Sequence, residues 1–98
     1  MDRIAYRYEL DGGTMETIEE TLLLSIFAVE SLHGDSRVRL DVAYHLDKEH
    51  RVCVMDASTD VGRDLNLLFV GFMTREFGTD SFTVDRASKE AAKVIQSF

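Results

Sequence analysis

The side chains best placed for chemistry lie in the stretch from Asp56 to Arg63, DASTDVGR, which follows a predicted strand and opens a predicted helix. Backbone N–H groups at such a helix start can hold a phosphate or a carboxylate. Ser58, Thr59 and Arg63 are the side chains that would contact the anion. The stretch lacks the glycine spacing of a P-loop or a dinucleotide fingerprint. Because hydroxyls also cap helices, simple capping is the competing interpretation.

Histidine and cysteine give no recognised metal motif. His33, His45 and His50 lack the HExxH pattern, and Cys53 is the only cysteine, so neither an internal disulfide nor a cysteine zinc cluster can form. No metal and no cofactor is predicted. Cys53 lacks an evident base and no serine has a GxSxG context, so no catalytic residue is predicted and the sequence leans away from an enzyme.

Arginine provides the second candidate site. Strand alternation, in a sheet of order 4-1-3-2, places five of the 11 basic residues on the outward sheet face: Arg3, Arg7, Arg37, Arg39 and Arg51. Strands about 4.8 Å apart would bring these side chains within reach of one another. Arginine is favoured at protein interfaces, so we expect a face for a protein partner or a second copy. The competing interpretation is a solvated face with cross-strand ion pairs.

Composition sets limits on both sites. At 98 residues the chain has room for a single α+β domain over 1–98. A net charge of -7 repels nucleic acid and anionic membranes, and the aromatic residues of the predicted strands face inward, so RNA binding is disfavoured. No stretch approaches the roughly 18 apolar residues of a membrane span. The single cysteine makes the cytoplasm the simplest expected location.

Hydrophobic periodicity defines the elements that must position these residues. Period-2 alternation predicts strands at 4–10, 38–46, 50–56 and 81–85, whereas helical spacing predicts helices at 14–33 and 60–77 and a short one at 88–98. Thr14 is the expected N-cap of the first helix, and Gly34 and Gly78 are expected to end the two long helices.

The order β-α-β-β-α-β resembles the split β-α-β arrangement of the ferredoxin-like fold. The resemblance implies an antiparallel sheet with two helices on one face, here with an extra short C-terminal helix. It rests on the pattern of elements rather than on a family motif, and that fold hosts many unrelated functions. It therefore does not select a function.

The facing of the third strand remains ambiguous by one residue, because a register slip exchanges its two faces. We place Val52 and Val54 inward, since β-branched residues suit a buried pleat, which leaves Cys53 and Met55 outward. The sequence leaves open whether the C-terminal helix packs on its own chain or on another.

The first helix is apolar over more than one face, because Leu23, Leu24 and Phe27 widen the buried arc. That surplus favours either deep packing or a contact with a partner. The sequence thus predicts a cytoplasmic interaction or adaptor domain that self-associates through the sheet face or the first helix. The alternative is a small-molecule or anion-binding enzyme with its pocket at Asp56–Arg63.

Overall fold

The computed structural model describes residues 3–97. Its elements in chain order are β1 (Ala5–Leu10), α1 (Met15–His33), α2 (Asp35–Asp41), β2 (Ala43–Asp47), β3 (Val52–Asp56), α3 (Asp60–Phe77), a 3-10 turn (Thr79–Ser81), β4 (Phe82–Arg86), α4 (Lys89–Ala92) and β5 (Gln96–Ser97). The strands form one sheet in the order β4-β1-β3-β2-β5, and every neighbouring pair is antiparallel. The predicted α+β class with an antiparallel sheet is confirmed.

The two long helices begin and end where the sequence predicts. The Thr14 hydroxyl accepts a hydrogen bond from the Thr17 N–H, and the Thr59 hydroxyl accepts one from the Gly62 N–H at 2.9 Å. Both side chains thereby satisfy an N–H that has no partner within its helix. Gly34 and Gly78 follow the helices with φ of 90° and 94°, a region that side chains other than glycine rarely adopt.

Helices α1 and α3 pack on one face of the sheet and form the main core with β1 and β3. Cys53 and Met55 are fully buried in that core, opposite Tyr8 and Tyr6 of β1. The prediction that they face outward is therefore wrong. Val54 is also buried, but with Ala5 and Ala92 on the other face of the sheet. Because both faces of β3 are covered, β-branching could not indicate the inward side.

Residues 35–41 form α2 instead of the first half of the predicted second strand. Val38 and Val42 are both buried, and their spacing of four residues suits a helix as well as a strand. Arg37 pairs with Asp41, and Arg39 with Asp35, in the i,i+4 geometry that stabilises helices. Leu40, which strand alternation placed in the core, is 81% exposed. Only the second half of the predicted strand forms β2.

The C-terminal segment packs on its own chain. Its helix α4 is only four residues long, rather than extending to residue 98, and Ala92 packs with Ala5 and Val54 on the sheet face opposite α1 and α3. Ala87 and Ile95 flank this contact. The chain then adds β5 beside β2, with Gln96 opposite Tyr44. The sheet face that the sequence analysis treats as open is thus partly covered.

Candidate functional site

The five candidate arginines do not share one surface. Arg3 precedes β1 and pairs with Asp56 at 3.4 Å, and Arg7 of β1 pairs with Glu9 at 2.9 Å. Arg37 and Arg39 lie on α2, outside the sheet. The expected clustering is wrong because it depended on residues 35–41 being a strand. The prediction that these arginines bind a partner remains a prediction.

Arg51 occupies the turn between β2 and β3 with a φ of 57°, in the left-handed region. Its guanidinium donates hydrogen bonds to the carbonyl oxygens of Leu10, Gly12 and Gly13 at 2.6, 3.2 and 2.9 Å. These three carbonyls lie in and beside the loop between β1 and α1. The side chain therefore ties two loops together, a structural role that uses most of its donors.

The hydroxyls of the Asp56–Arg63 loop are engaged inside the chain. Ser58 accepts a hydrogen bond from the Ile4 N–H at 2.9 Å and donates one to the Asp56 carboxylate at 2.9 Å. Thr59 caps α3 and lies within hydrogen-bonding reach of the Asp41 carbonyl. The geometry thus favours capping over an anion site at these two residues. Arg63, by contrast, is exposed and lies beside a groove.

That groove, here the α3–β4 groove, has a volume of about 350 Å³ and runs between α3 and the β1–β4 side of the sheet. Its lining is mainly apolar: Tyr6, Tyr8, Ala57, Leu67, Val70 and Val84, with Arg63 and Asn66 as the polar members. A concave apolar surface with few polar groups is the usual form of a small-ligand site. The shape of this groove suits a small ligand or a side chain from another molecule.

A buried polar pair forms the floor of the α3–β4 groove. The Tyr8 hydroxyl donates a hydrogen bond to Asn66 Oδ1 at 2.5 Å, and the Asn66 amide donates to the carbonyls of Asp56 and Gly62. Burial raises the pKa of the Tyr8 phenol well above its ordinary value, and the nearby Cys53 adds to the shift. The phenol therefore stays protonated at physiological pH and acts as a hydrogen-bond donor to Asn66.

The acidic side chains around Arg63 already have basic partners. Asp60 pairs with Arg37 at 2.7 Å, and Asp64 pairs with His33 at 2.7 Å. Asp56 pairs with Arg3. Arg63 itself forms no ion pair with any acidic side chain among residues 3–97. Its positive charge is thus free at the edge of the α3–β4 groove.

The outer side of α1 carries a second exposed apolar surface, here the α1 patch, formed by Leu23, Leu24 and Phe27. These side chains point away from the buried stripe of the helix, and Phe27 is 61% exposed. The sequence-based observation that the apolar arc of α1 is too wide is explained by this exposure. Deep packing under a loop, the other interpretation, does not occur.

A second groove of about 560 Å³ lies between α1 and α3, with Leu24 and Phe72 beside Glu20, Arg75 and Glu76. Its lining mixes charges of both signs with apolar side chains. Two glutamates, Glu20 and Glu76, line the groove with one arginine, Arg75, so its charge does not favour an anion. It extends the α1 patch towards α3 and gives that surface a polar border.

Two of the three histidines form pairs with carboxylates, and the cysteine is buried in the core. His33 pairs with Asp64, and His50 pairs with Asp47 at 2.9 Å. Cys53 is buried, and burial raises the pKa of its thiol to about 12, so the nucleophilic thiolate is not available at neutral pH. Within residues 3–97, no group of three or more His, Cys, Asp or Glu side chains is arranged to hold a metal ion.

Comparison of the chain with protein-family models, with curated proteins and with solved structures finds no match. Among residues 3–97, none of the helices is long and apolar enough to cross a membrane. The case for any function therefore rests on the surfaces of the chain itself.

The sequence predicts Arg63 as an anion contact and a surplus apolar arc on α1. It does not predict the apolar wall of the α3–β4 groove. Tyr6 and Val84 have the inward parity of the predicted strands, which is the parity of core residues. Leu67 and Val70 lie within the predicted helix 60–77. The available signal was the strand order. In the order 4-1-3-2 the fourth strand is at an edge, where an inward-facing Val84 has a neighbouring strand on one side only.

Proposed function

We propose that this chain has a ferredoxin-like split β-α-β core, with α2 inserted before β2 and the α4–β5 segment added after β4. The observed strand order β4-β1-β3-β2 supports this assignment. We further propose a cytoplasmic location, supported by the lone, buried Cys53. Neither assignment selects a function.

We propose that the domain is a self-associating protein-interaction module. The observation that carries the proposal is the α1 patch: Leu23, Leu24 and Phe27 are exposed together on one side of a well-capped helix. Contiguous exposed apolar side chains on a small soluble domain mark contact surfaces. A stable interface buries about 800 Å² on each partner, and an apolar centre with a polar border is its usual form.

The first helix is favoured over the sheet face as the contact surface. The sheet face opposite α1 and α3 is partly covered by Ala87, Ala92 and Ile95. Of the candidate arginines in or next to the sheet, Arg3 and Arg7 are engaged in ion pairs within the chain, and Arg51 binds backbone carbonyls. Within the described residues 3–97 the α1 patch stays exposed, and the groove beside it offers Glu20 and Arg75 as polar border residues.

Sedimentation equilibrium of the wild type, Phe27→Ser and Leu40→Ser tests this function. We expect the wild type to associate and Phe27→Ser to weaken association at least about ten-fold, which corresponds to about 1.4 kcal/mol. Leu40 is the matched control because it is 81% exposed but lies on α2, outside the patch. A wild type that stays monomeric at millimolar concentration, or equal effects of both variants, contradicts the proposal.

A second candidate function is the binding of a small amphipathic carboxylate in the α3–β4 groove. The observation that favours it is the unpaired Arg63 beside an apolar lining. The ligand is still an anion that contacts Arg63, as predicted for the Asp56–Arg63 loop. Its apolar part would lie in the α3–β4 groove rather than beside Ser58 and Thr59. No catalytic set accompanies the groove, so the proposal concerns binding only.

Titration with octanoate and with octanol, followed by backbone amide NMR shifts, tests this second candidate. We expect octanoate to shift the amide signals of Tyr6 and Val84 more strongly than octanol does. In Arg63→Gln the two probes should cause shifts of similar size. Lys93→Gln is the control, because Lys93 is also basic and exposed but lies on the opposite side of the sheet beside α4. Equal shifts by both probes would exclude a carboxylate site.

A further inference from the structure

Strand β4 forms one edge of the sheet, and its outer side is unpaired in the described part of the chain. It pairs with β1 along Phe82–Arg86, and residues 3–97 contribute no strand on its other side. The opposite edge differs, because β2 is followed there by β5. An open edge strand presents N–H and C=O groups that can pair with another chain.

Hydrogen bonds at both ends of the β1–β4 pair establish which residues use that edge. The Ala87 N–H donates to the Ala5 carbonyl at 2.8 Å, and the Asp11 N–H donates to the Ser81 carbonyl at 2.7 Å. Both bonds follow the same antiparallel register as the strand between them. Bonded and non-bonded pairs alternate along such a ladder.

Alternation therefore assigns Thr83 and Asp85 to the bonded pairs with β1. The N–H and C=O groups of the intervening residues, Phe82, Val84 and Arg86, point to the open edge. Each of these three residues offers one donor and one acceptor to a second strand.

We propose that β4 pairs antiparallel with β4 of a second copy, around a two-fold axis at Val84. In this register Val84 lies opposite Val84 of the second copy, and Phe82 lies opposite Arg86. All three pairs are bonded pairs, so every free donor and acceptor of Phe82, Val84 and Arg86 is used. The two sheets become one continuous sheet across the axis.

The side chains are self-complementary in this register. On the helix side Val84 packs on its own copy, and the Arg86 guanidinium lies beside the Phe82 ring. On the other side Thr83 faces Asp85, and the Thr83 hydroxyl, which donates to Glu9 at 3.4 Å within the chain, would turn to the Asp85 carboxylate of the second copy. An axis at Asp85 would instead place the two Asp85 carboxylates directly opposite each other, which is unfavourable. An axis at Thr83 would use only part of the strand.

Apolar side chains of the α3–β4 groove lie beside the same edge and are left in water in a single copy. Leu67 is 71% exposed, and Val70, Tyr6 and Val84 line the groove with it. A second copy placed at β4 would cover this apolar surface as well as the edge. The contact therefore combines backbone pairing with apolar burial, which are the two parts of strand addition.

This contact goes beyond the proposed use of the α1 patch. The α1 helix lies on the β2 side of the helix layer, where Glu19 pairs with Lys48 of the β2–β3 turn. An edge contact at β4 leaves Leu24 and Phe27 accessible. Failure of one contact does not imply failure of the other.

Oxidation of Val84→Cys, compared with Val94→Cys, tests the register. Val84 and Val94 are exposed to the same degree, 43% and 45%, and the native Cys53 is buried. A bonded pair has a Cα–Cα distance of about 5.5 Å, which lies within the range of disulfides. We expect Val84→Cys to form a covalent dimer at least about ten-fold faster at micromolar concentration, because pairing raises the effective thiol concentration. Equal rates would overturn the proposal.

Amide hydrogen exchange of the wild type, measured at low and high protein concentration, provides the second test. We expect the amides of Phe82, Val84 and Arg86 to gain protection with concentration while those of Thr83 and Asp85 stay unchanged. We expect Phe27→Ser to show the same gain in amide protection, because the edge contact does not depend on the α1 patch. If the protein associates without any gain at these three amides, the edge contact is wrong and the proposed interaction function stands.

Discussion

The two faces of the sheet are covered very differently. One face lies under α1 and α3, where Tyr8, Cys53 and Met55 are fully buried in a continuous core. The other is covered by a four-residue helix, with Ala5, Val54 and Ala92 as its buried centre. The difference indicates that the helix face supplies most of the apolar burial that stabilises the fold, whereas the second face is a thin cover over β1 and β3.

The largest expected loss of stability is at the centre of the helix face. Phe69 is fully buried and meets the Tyr8 ring edge-on, with centroids 5.3 Å apart. We expect Phe69→Ala to lower the free energy of unfolding by about 3–5 kcal/mol, since it leaves a cavity and removes the aromatic contact. Urea denaturation followed by circular dichroism measures the loss. Phe27→Ala, at an exposed site, is the control and should change it by about 0.5 kcal/mol or less.

Met55 and Val54 are neighbours in β3 and are buried on opposite faces of the sheet, so substituting each one compares how much the two faces contribute to stability. We expect Met55→Ala, on the helix face, to cost about 2–5 kcal/mol. Val54→Ala, on the thinly covered face, should cost about 1–2 kcal/mol, because fewer methyl groups are lost and the short segment above it can settle. The same urea measurement compares them. A larger loss for Val54→Ala would show that α4 and its flanking residues contribute more to stability than their size indicates.

The sequence predicted α1, α3 and β1 because each has a long, unambiguous period or a strong cap, such as Thr14. It failed at residues 35–41, where Val38 and Val42 satisfy both periods, and the i,i+4 pairs of Arg37 and Arg39 add only about 0.2–0.5 kcal/mol each to the helix. Local patterning does not contain that choice, because it depends on what the buried valines pack against.

The facing of β3 failed for a different reason. The strand is apolar throughout, at Val52, Cys53, Val54 and Met55, because each of its faces is covered. The sequence therefore shows no alternation of apolar and polar residues that would indicate the facing. The candidate arginine surface depended on both errors. The surplus apolar arc of α1 follows from helical spacing alone, but that spacing left open whether the arc is exposed or deeply packed.

A smaller effect is expected at the hydrogen bond beneath the α3–β4 groove. Among residues 3–97 the Tyr8 hydroxyl makes the only side-chain hydrogen bond to Asn66 Oδ1, and Tyr8→Phe removes it while leaving that oxygen buried. We expect a loss of about 1–3 kcal/mol, the cost of an unsatisfied buried acceptor. Tyr6→Phe, on the same strand but at the partly exposed groove wall, is the matched control and should stay within about 0.5 kcal/mol of the wild type. Similar losses at both positions would argue against a buried polar role for Asn66.

The smallest expected effect lies at the turn between β2 and β3. Asp47 accepts a hydrogen bond from the His50 N–H at 3.0 Å and pairs with the His50 ring, and the backbone bond contributes most to lowering the pKa of this carboxyl. A lowered pKa in the folded state stabilises the fold above the unfolded-state pKa, and this stabilisation is lost as pH falls through the folded-state pKa.

We therefore expect Asp47→Asn to lower the melting temperature slightly at pH 7 and the difference from the wild type to shrink once Asp47 is protonated. Thermal melts at several values between pH 7 and pH 2 measure this trend. Glu49→Gln is the control, because it removes the same charge from the same exposed turn without removing a hydrogen bond to His50. If Asp47→Asn and Glu49→Gln show the same pH dependence, net charge rather than the Asp47–His50 contact causes the effect.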